Sequence, residues 1–212
     1  MGYFSLYSNT TGGANTANGE SALGGNTTGV ENTATGYQAL SSNTTGSDNS
    51  AFGYGSGPNS SALNNTTALG LFATTTASNQ VRIGNSSVTS IGGQVGWSTL
   101  SDGRFKRDVK EDVLGLEFIK KLRPISYFVD TDQLNNFLGV SDKFPDKLKR
   151  QSRTENESVR QTGFIAQEVE AIIKKTGFSF SGIEAPQNEN DHYSIRYADF
   201  VVPLPFKNSV LK

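Results

Sequence analysis

The stretch NTANGESALGGNTTGVE, residues 15–31, is followed without interruption by NTATGYQALSSNTTGSD, residues 32–48. At an offset of 17 the two share the pattern N-T-A-x-G-x-x-A-L and, further on, NTTG. NSAFGYGSG begins another 17 residues on, at Asn49, and TTALGLFATT another 17, at Thr66. Gly2, Gly19, Gly36, Gly53 and Gly70 therefore share one register, as do Ala17, Ala34, Ala51 and Ala68, and Leu6, Leu23 and Leu40. NTTG itself recurs at Asn9, Asn26 and Asn43. A composition of Gly, Asn, Ser, Thr and Ala would by itself suit a disordered linker. A linker has no reason to keep a fixed period, whereas a coiled solenoid does, because each turn stacks on its counterpart.

The register predicts a parallel β-roll over residues 1–75. Small Ala and Ser would fill a narrow interior, Leu and Phe would seal it, and Gly and Asn would take corners where φ is positive. So thin a coil buries little apolar surface, and the expectation is that several chains wrap together. Residues 76–100 read as a neck of short strands, with QVRIGN and SVTSIGG alternating apolar and polar positions.

Charge divides the chain at residue 100. Only Glu20, Glu31, Asp48 and Arg82 precede it, while 35 of the 39 charged residues follow. The formal net charge of -1 supplies no bulk attraction to nucleic acid or to an anionic membrane. There is no cysteine, hence no disulfide framework and no thiol chemistry. The first residues, MGYFSLYSNTTGG, lack the basic and apolar regions of a signal peptide, and no run reaches the roughly 20 apolar residues of a membrane span. No motif for a cofactor or a metal is present.

Residues 101–212 follow a different grammar, that of a small α+β domain. EDVLGLEFIKKL, residues 111–122, places Val113, Leu116, Ile119 and Leu122 near one helical face, and Pro124 stops the helix. ISYFVD is a strand candidate. QTGFIAQ, residues 161–167, predicts a strand running into the helix QEVEAIIKK, with Gly177 closing it. DHYSIRYADFVVPL predicts a strand and a helix start, and residues 141–160 form a charged excursion.

TLSDGRFKRD, residues 99–108, lies where the two grammars meet. Ser101 and Lys106 are five apart, with Gly103 favouring a turn between them. A serine hydroxyl becomes a nucleophile when a base stands beside it, and a lysine becomes that base when desolvation or nearby cations, here Arg104 and Arg107, favour the neutral amine. Asp102 could orient either group. The same spacing also suits a plain surface turn with Ser or Asp as its cap.

Four blocks in order, LSDGRFKRDV, GLEFIKKLRPISYFVD, TGFIAQEVEAIIK and YSIRYADFVVPL, resemble the C-terminal intramolecular chaperone domain of phage tail fibres and endosialidases, peptidase family S74, over about residues 97–204. The repeat motif resembles the head repeats of trimeric autotransporter adhesins, which implies a trimeric β-roll. The S74 resemblance implies a domain that trimerises, assists the preceding fibre to fold and then cuts itself off. It implies that Ser101 is the nucleophile and Lys106 its partner and that the Leu100–Ser101 bond is cut; the supporting role of Asp102 rests on its place in the turn. It further implies a homotrimer in a virion tail fibre or on a bacterial surface, with a host-surface receptor or glycan as a possible ligand. A non-cleaving trimeric surface protein is the alternative, and a hydrolase acting in trans a more distant one. Gln167 and Glu168 also match the family's pattern. His192 and the surrounding QNENDH cluster lack the spacing of a calcium loop and read as surface. The end of the chain, VVPLPFKNSVLK, departs from the family, whose members run on into a long helix; Pro203 and Pro205 oppose one, so a truncated coiled coil is expected.

Overall fold

The computed structural model describes residues 2–143, 146 and 158–204. The expected charged excursion falls partly, and the final residues 205–212 wholly, outside the described residues. The chain forms two compact units. One comprises Met1–Thr89, Phe128–Gln161 and Pro186–His192; the other comprises Ser90–Tyr127, Thr162–Ala185 and Tyr193–Lys212.

The first unit is built on a parallel β-solenoid. Strands β1 (Thr16–Asn18), β2 (Thr33–Thr35), β3 (Ser50–Phe52), β5 (Thr67–Leu69) and β7 (Val81–Ile83) form one sheet in the order β1-β2-β3-β5-β7. β4 (Gly57–Pro58) and β6 (Thr74–Thr75) form a second, shorter ladder. Each three-residue strand of the first four rungs turns its middle residue inward, so Ala17, Ala34, Ala51 and Ala68 stack directly in register. Ala22, Ala39, Ala73, Leu23 and Leu40 complete a dry core of small side chains. The 17-residue register holds as far as β5. The last step, from Thr67 to Val81, is 14 residues. The solenoid thus runs past residue 75 into the expected neck, while SVTSIGG forms no strand.

Glycine is required at the corner after each strand. Gly19, Gly36 and Gly53 have φ between 131° and 137°, and an added Cβ at Gly36 would lie 2.6 Å from the Gly53 carbonyl oxygen one rung on. The other left-handed positions are not held by the asparagines of NTTG. Three of them fall on Leu6, Leu23 and Leu40, with φ of 51–53°, and others on residues such as Phe4, Ser21, Gln38, Asn65 and Phe72. A leucine in that region costs roughly 1–2 kcal/mol. The core offsets this, since Leu23 and Leu40 are buried. The same turn also aims the Leu23 N–H at the Ala39 carbonyl and the Leu40 N–H at the Ser56 carbonyl, 2.9 Å each.

The NTTG asparagines point inward instead. Asn26 Nδ2 donates to Asn9 Oδ1 at 2.7 Å, and Asn43 Nδ2 to Asn26 Oδ1 at 2.9 Å. A second column runs Asn15, Asn32, Asn49, Thr66. The Asn32 and Asn49 backbone N–H groups each donate to the asparagine oxygen one rung back at 3.0 Å, and the Thr66 N–H and hydroxyl both donate to Asn49 Oδ1. Asn26, Asn32, Asn43 and Asn49 are wholly buried. An amide in so dry a core is tolerated only when its hydrogen bonds are made, and the repeat supplies each partner one turn away.

Two segments from the second half pack within this unit. Helix α2 (Thr131–Phe137), absent from the sequence expectation, is capped by Asp130, which accepts from the Gln133 N–H at 2.8 Å. Its buried Asn135 accepts from the Ser86 hydroxyl, and Val140 beyond it packs on Phe72. Pro186–His192 forms the other segment.

The second unit is mixed. β8 (Ile125–Tyr127) pairs with β9 (Gln161–Gly163), and β10 (Ile183–Glu184) pairs antiparallel with β11 (Ser194–Ile195). Phe118, Leu122, Val169 and Phe200 form its core, flanked by Phe164, Phe178 and Phe180. Helix α3 (Ala166–Thr176) ends at Gly177 with φ 65°, as its glycine predicts. Helix α1 is only Leu116–Ile119, because Gly115 before it has φ 61°; Val113 is left exposed rather than on the expected apolar face.

Candidate functional site

TLSDGRFKRD adopts the turn that Gly103 suggests. Gly103–Phe105 form one turn of 3-10 helix, with Asp102 as its cap. The Asp102 carboxylate accepts from the Arg104 N–H at 2.9 Å and pairs with the Arg104 guanidinium at 2.6 Å. These contacts with Arg104 hold the Asp102 carboxyl below the usual carboxylate range.

Reversal of the chain over this turn brings Lys106 back to Ser101, with Lys106 Nζ 2.9 Å from Ser101 Oγ. Asp102 is engaged by Arg104 and makes no direct bond to either of them; it shapes the turn between them. Ser101 and Lys106 are exposed, as are Leu100, Phe105 and Val109, and no buried residue lies in the turn. Further back, Val95 and Trp97 are 85% and 87% exposed, extreme values for large apolar side chains.

The remaining sequence candidates lie elsewhere. Glu168 forms a forked ion pair with Arg123, which lowers its carboxyl below the ordinary range and ties the first turn of α3 to the segment preceding β8. His192 lies beside the Phe137 ring, centroids 6.2 Å apart. No group of three or more His, Asp or Glu able to hold a metal is found among the described residues, and no described helix is long and apolar enough to cross a membrane.

Asp191 was legible in the sequence only as part of an acidic cluster. The structure buries it to 7% exposure in the solenoid unit, where it accepts from Thr76 and Gln80. No local signal marks its burial against the solenoid, since Thr76 and Gln80 lie more than 100 residues upstream.

The folded chain is thus a parallel β-solenoid followed by a small mixed α/β unit, with a Ser–Lys pair in the turn between the two sequence regions. Residues 101–178 match the Peptidase S74 family, described as chaperone of endosialidase. The match begins at Ser101 and spans well under half of the chain, and YSIRYADFVVPL lies beyond it. No curated protein and no solved structure matches the chain.

Proposed function

We propose that this chain is a fibre- or adhesin-like structural protein whose region from Ser101 onward promotes trimeric folding of the solenoid and then cuts itself away between Leu100 and Ser101. The observation that carries the reading is the 2.9 Å contact of Lys106 Nζ with Ser101 Oγ at the first residue of the chaperone match.

The chemistry balances within one chain. Ser101 Oγ attacks the Leu100 carbonyl carbon while Lys106 takes the hydroxyl proton. The carbon–nitrogen bond breaks, and Lys106 returns the proton to the departing Ser101 amine, leaving an ester between Leu100 and Ser101. Water hydrolyses the ester, restoring the hydroxyl and leaving a carboxylate on Leu100. Nucleophile and target belong to adjacent residues, so the fold replaces substrate binding with a high effective molarity. Asp102 contributes by holding, with Arg104, the turn that sets the Ser101–Lys106 distance.

Three chains are needed for two reasons. Parallel rungs pair across long sequence separations and fold slowly, so a domain that trimerises first raises the local concentration of the repeats. The single chain also exposes a continuous apolar column, Phe52, Leu69 and Ile83, stacked in register on the main sheet. Such a column suits burial against further copies. Such an assembly belongs on a virion tail fibre or a bacterial surface, facing a receptor or glycan.

One observation favours the non-cleaving alternative. A lysine acts as a base when it is desolvated, and Lys106 is exposed in the single chain. Denaturing electrophoresis of the folded protein, with N-terminal sequencing of the C-terminal fragment, decides between the two. The wild type yields a fragment starting at Ser101, and Ser101→Ala and Lys106→Ala remain whole. A wild type that stays full-length as a folded trimer overturns autoproteolysis. A monomer in sedimentation at micromolar concentration overturns the assembly.

A further inference from the structure

A solenoid of stacked rungs satisfies its polar groups from the next rung, so its last rung must be satisfied by something else. In the column Asn15, Asn32, Asn49, Thr66, the position one rung beyond Thr66 is Gln80, because Thr67 pairs with Val81. Gln80 Oε1 accepts from the Thr76 N–H at 3.0 Å and the Ala77 N–H at 3.2 Å, so its oxygen is occupied by its own turn. Its Nε2 and the buried Thr76 hydroxyl, which also reaches Gln80 Oε1 at 3.2 Å, both approach Asp191 Oδ1, at 3.3 and 2.5 Å. The remaining contacts come from the same distant segment. Asn188 Nδ2 donates to the Thr76 carbonyl at 2.9 Å, and Asn59 Nδ2 donates to the Asn190 carbonyl at 3.1 Å. Asp191 Oδ2 is held by the Gln187 N–H at 3.1 Å, which sets the loop's own shape.

We infer that Pro186–His192 is the terminal cap of the solenoid, and that the Asp191 carboxylate ends its buried polar column by replacing the rung that does not follow. Its occupant is this chain's own downstream loop, and the contact is one between two ends of a single compact unit. The consequence is a dependence of folding order. Thr76 and Gln80 meet their acceptor across 115 and 111 residues, so the last rung cannot close until residue 191 has been made. This rests on the chaperone reading in one respect only: it names a contact through which the downstream region would act on the solenoid.

Amide hydrogen exchange on the full chain tests the cap. Ser101→Ala is used as the background, so the chain stays whole whatever the outcome of the cleavage experiment. With Asp191→Ala, residues 74–83 are expected to exchange at least about tenfold faster, while rungs 33–35 and 50–52 keep their protection. Asp191→Asn, which keeps one acceptor oxygen, restores most of the protection. Thr76→Val, which removes a single donor, gives a smaller but equally confined effect and serves should Asp191→Ala fail to fold. Unchanged exchange at 74–83 in Asp191→Ala or Thr76→Val overturns the cap, and so does an equal loss in every rung. A wild type that stays uncut, or a protein that stays monomeric, defeats the cleavage or the trimer reading, and a confined loss in the Ser101→Ala background still leaves the cap standing.

Discussion

An added methyl group at Gly36 would stand 2.6 Å from the Gly53 carbonyl oxygen, whereas at Gly103, in the turn beside Ser101, it would meet nothing within 4 Å. The solenoid packs backbone on backbone, so each residue is dictated by the residues 17 before and after it. The turn from Ser101 to Lys106 is dictated by nothing packed on it, because no residue of it is buried. What is specific in the solenoid is therefore steric, and what is specific in the turn is chemical: a hydroxyl, an amine and the ion pair that sets their spacing.

The sharpest way to break that contrast is to place the same methyl group in both. Gly36→Ala combines a close backbone contact with a left-handed φ and should destabilise the solenoid by on the order of 4 kcal/mol. Gly103→Ala should change stability by less than about 0.5 kcal/mol. Thermal unfolding followed by circular dichroism checks both, and comparable losses would dissolve the distinction.

The polar interior offers a second, smaller test. Asn32→Ala removes the acceptor of the Asn49 N–H and the donor to the Gly46 carbonyl. The Asn49 N–H is left buried without an acceptor, while the Gly46 carbonyl keeps its bond from Asn43 Nδ2, so the cost is about 1–3 kcal/mol. Denaturant unfolding should show it. A loss no larger than that of an exposed Thr→Ala change would mean that water reaches the column.

The end of the solenoid adds a pH dependence of its own. Burial pushes the Asp191 carboxyl up, but hydrogen bonds from Thr76, from the Gln187 and His192 backbone and from Gln80 outweigh it and leave the carboxyl below its ordinary range. These donors are neutral, so the carboxyl itself titrates. A depressed folded-state value means that the contribution is fully present above the ordinary carboxylate range of about 4 and lost as the pH falls below it. Protection of residues 74–83 should weaken on acidification in the wild type and be pH-independent in Asp191→Asn. An identical acid response in both would remove Asp191 as its cause.

On the proposed cleavage, a graded kinetic effect is expected at Asp102, which bonds to neither Ser101 nor Lys106. Asp102→Ala should slow cleavage by up to about a hundredfold by loosening the turn, without abolishing it. Asp102→Asn, which keeps the cap but not the ion pair, should recover part of the rate. The time course of fragment appearance checks this, and complete loss would promote Asp102 to a reacting group.

Most of the solenoid could be read directly, because repetition turns a tertiary contact into a sequence offset: Ala17, Ala34, Ala51 and Ala68 stack as their spacing requires. The Ser101–Lys106 approach was also legible, since a glycine turn can fold back only over a few residues. The corners were harder. Leucine in a left-handed turn contradicts its local preference, and only its burial and the hydrogen bond to the next rung select it. Helix α1 was overestimated because its apolar spacing continued through Gly115, where the backbone breaks. Helix α2 was missed because TDQLNNF has no strong apolar period and is set by its Asp130 cap.

By itself, the sequence determined the rung: its length, its inward alanines, its corner glycines and the turn that joins Ser101 to Lys106. These are contacts between residues close in the chain or repeated at one offset, so pattern suffices to find them. Only the tertiary structure decided where the solenoid ends, that its last step shortens to 14 residues, and that Asp191 closes it. That closure joins Thr76 to a residue 115 positions away. No period relates the two, and burial of both polar groups became favourable only once each had the other as a partner.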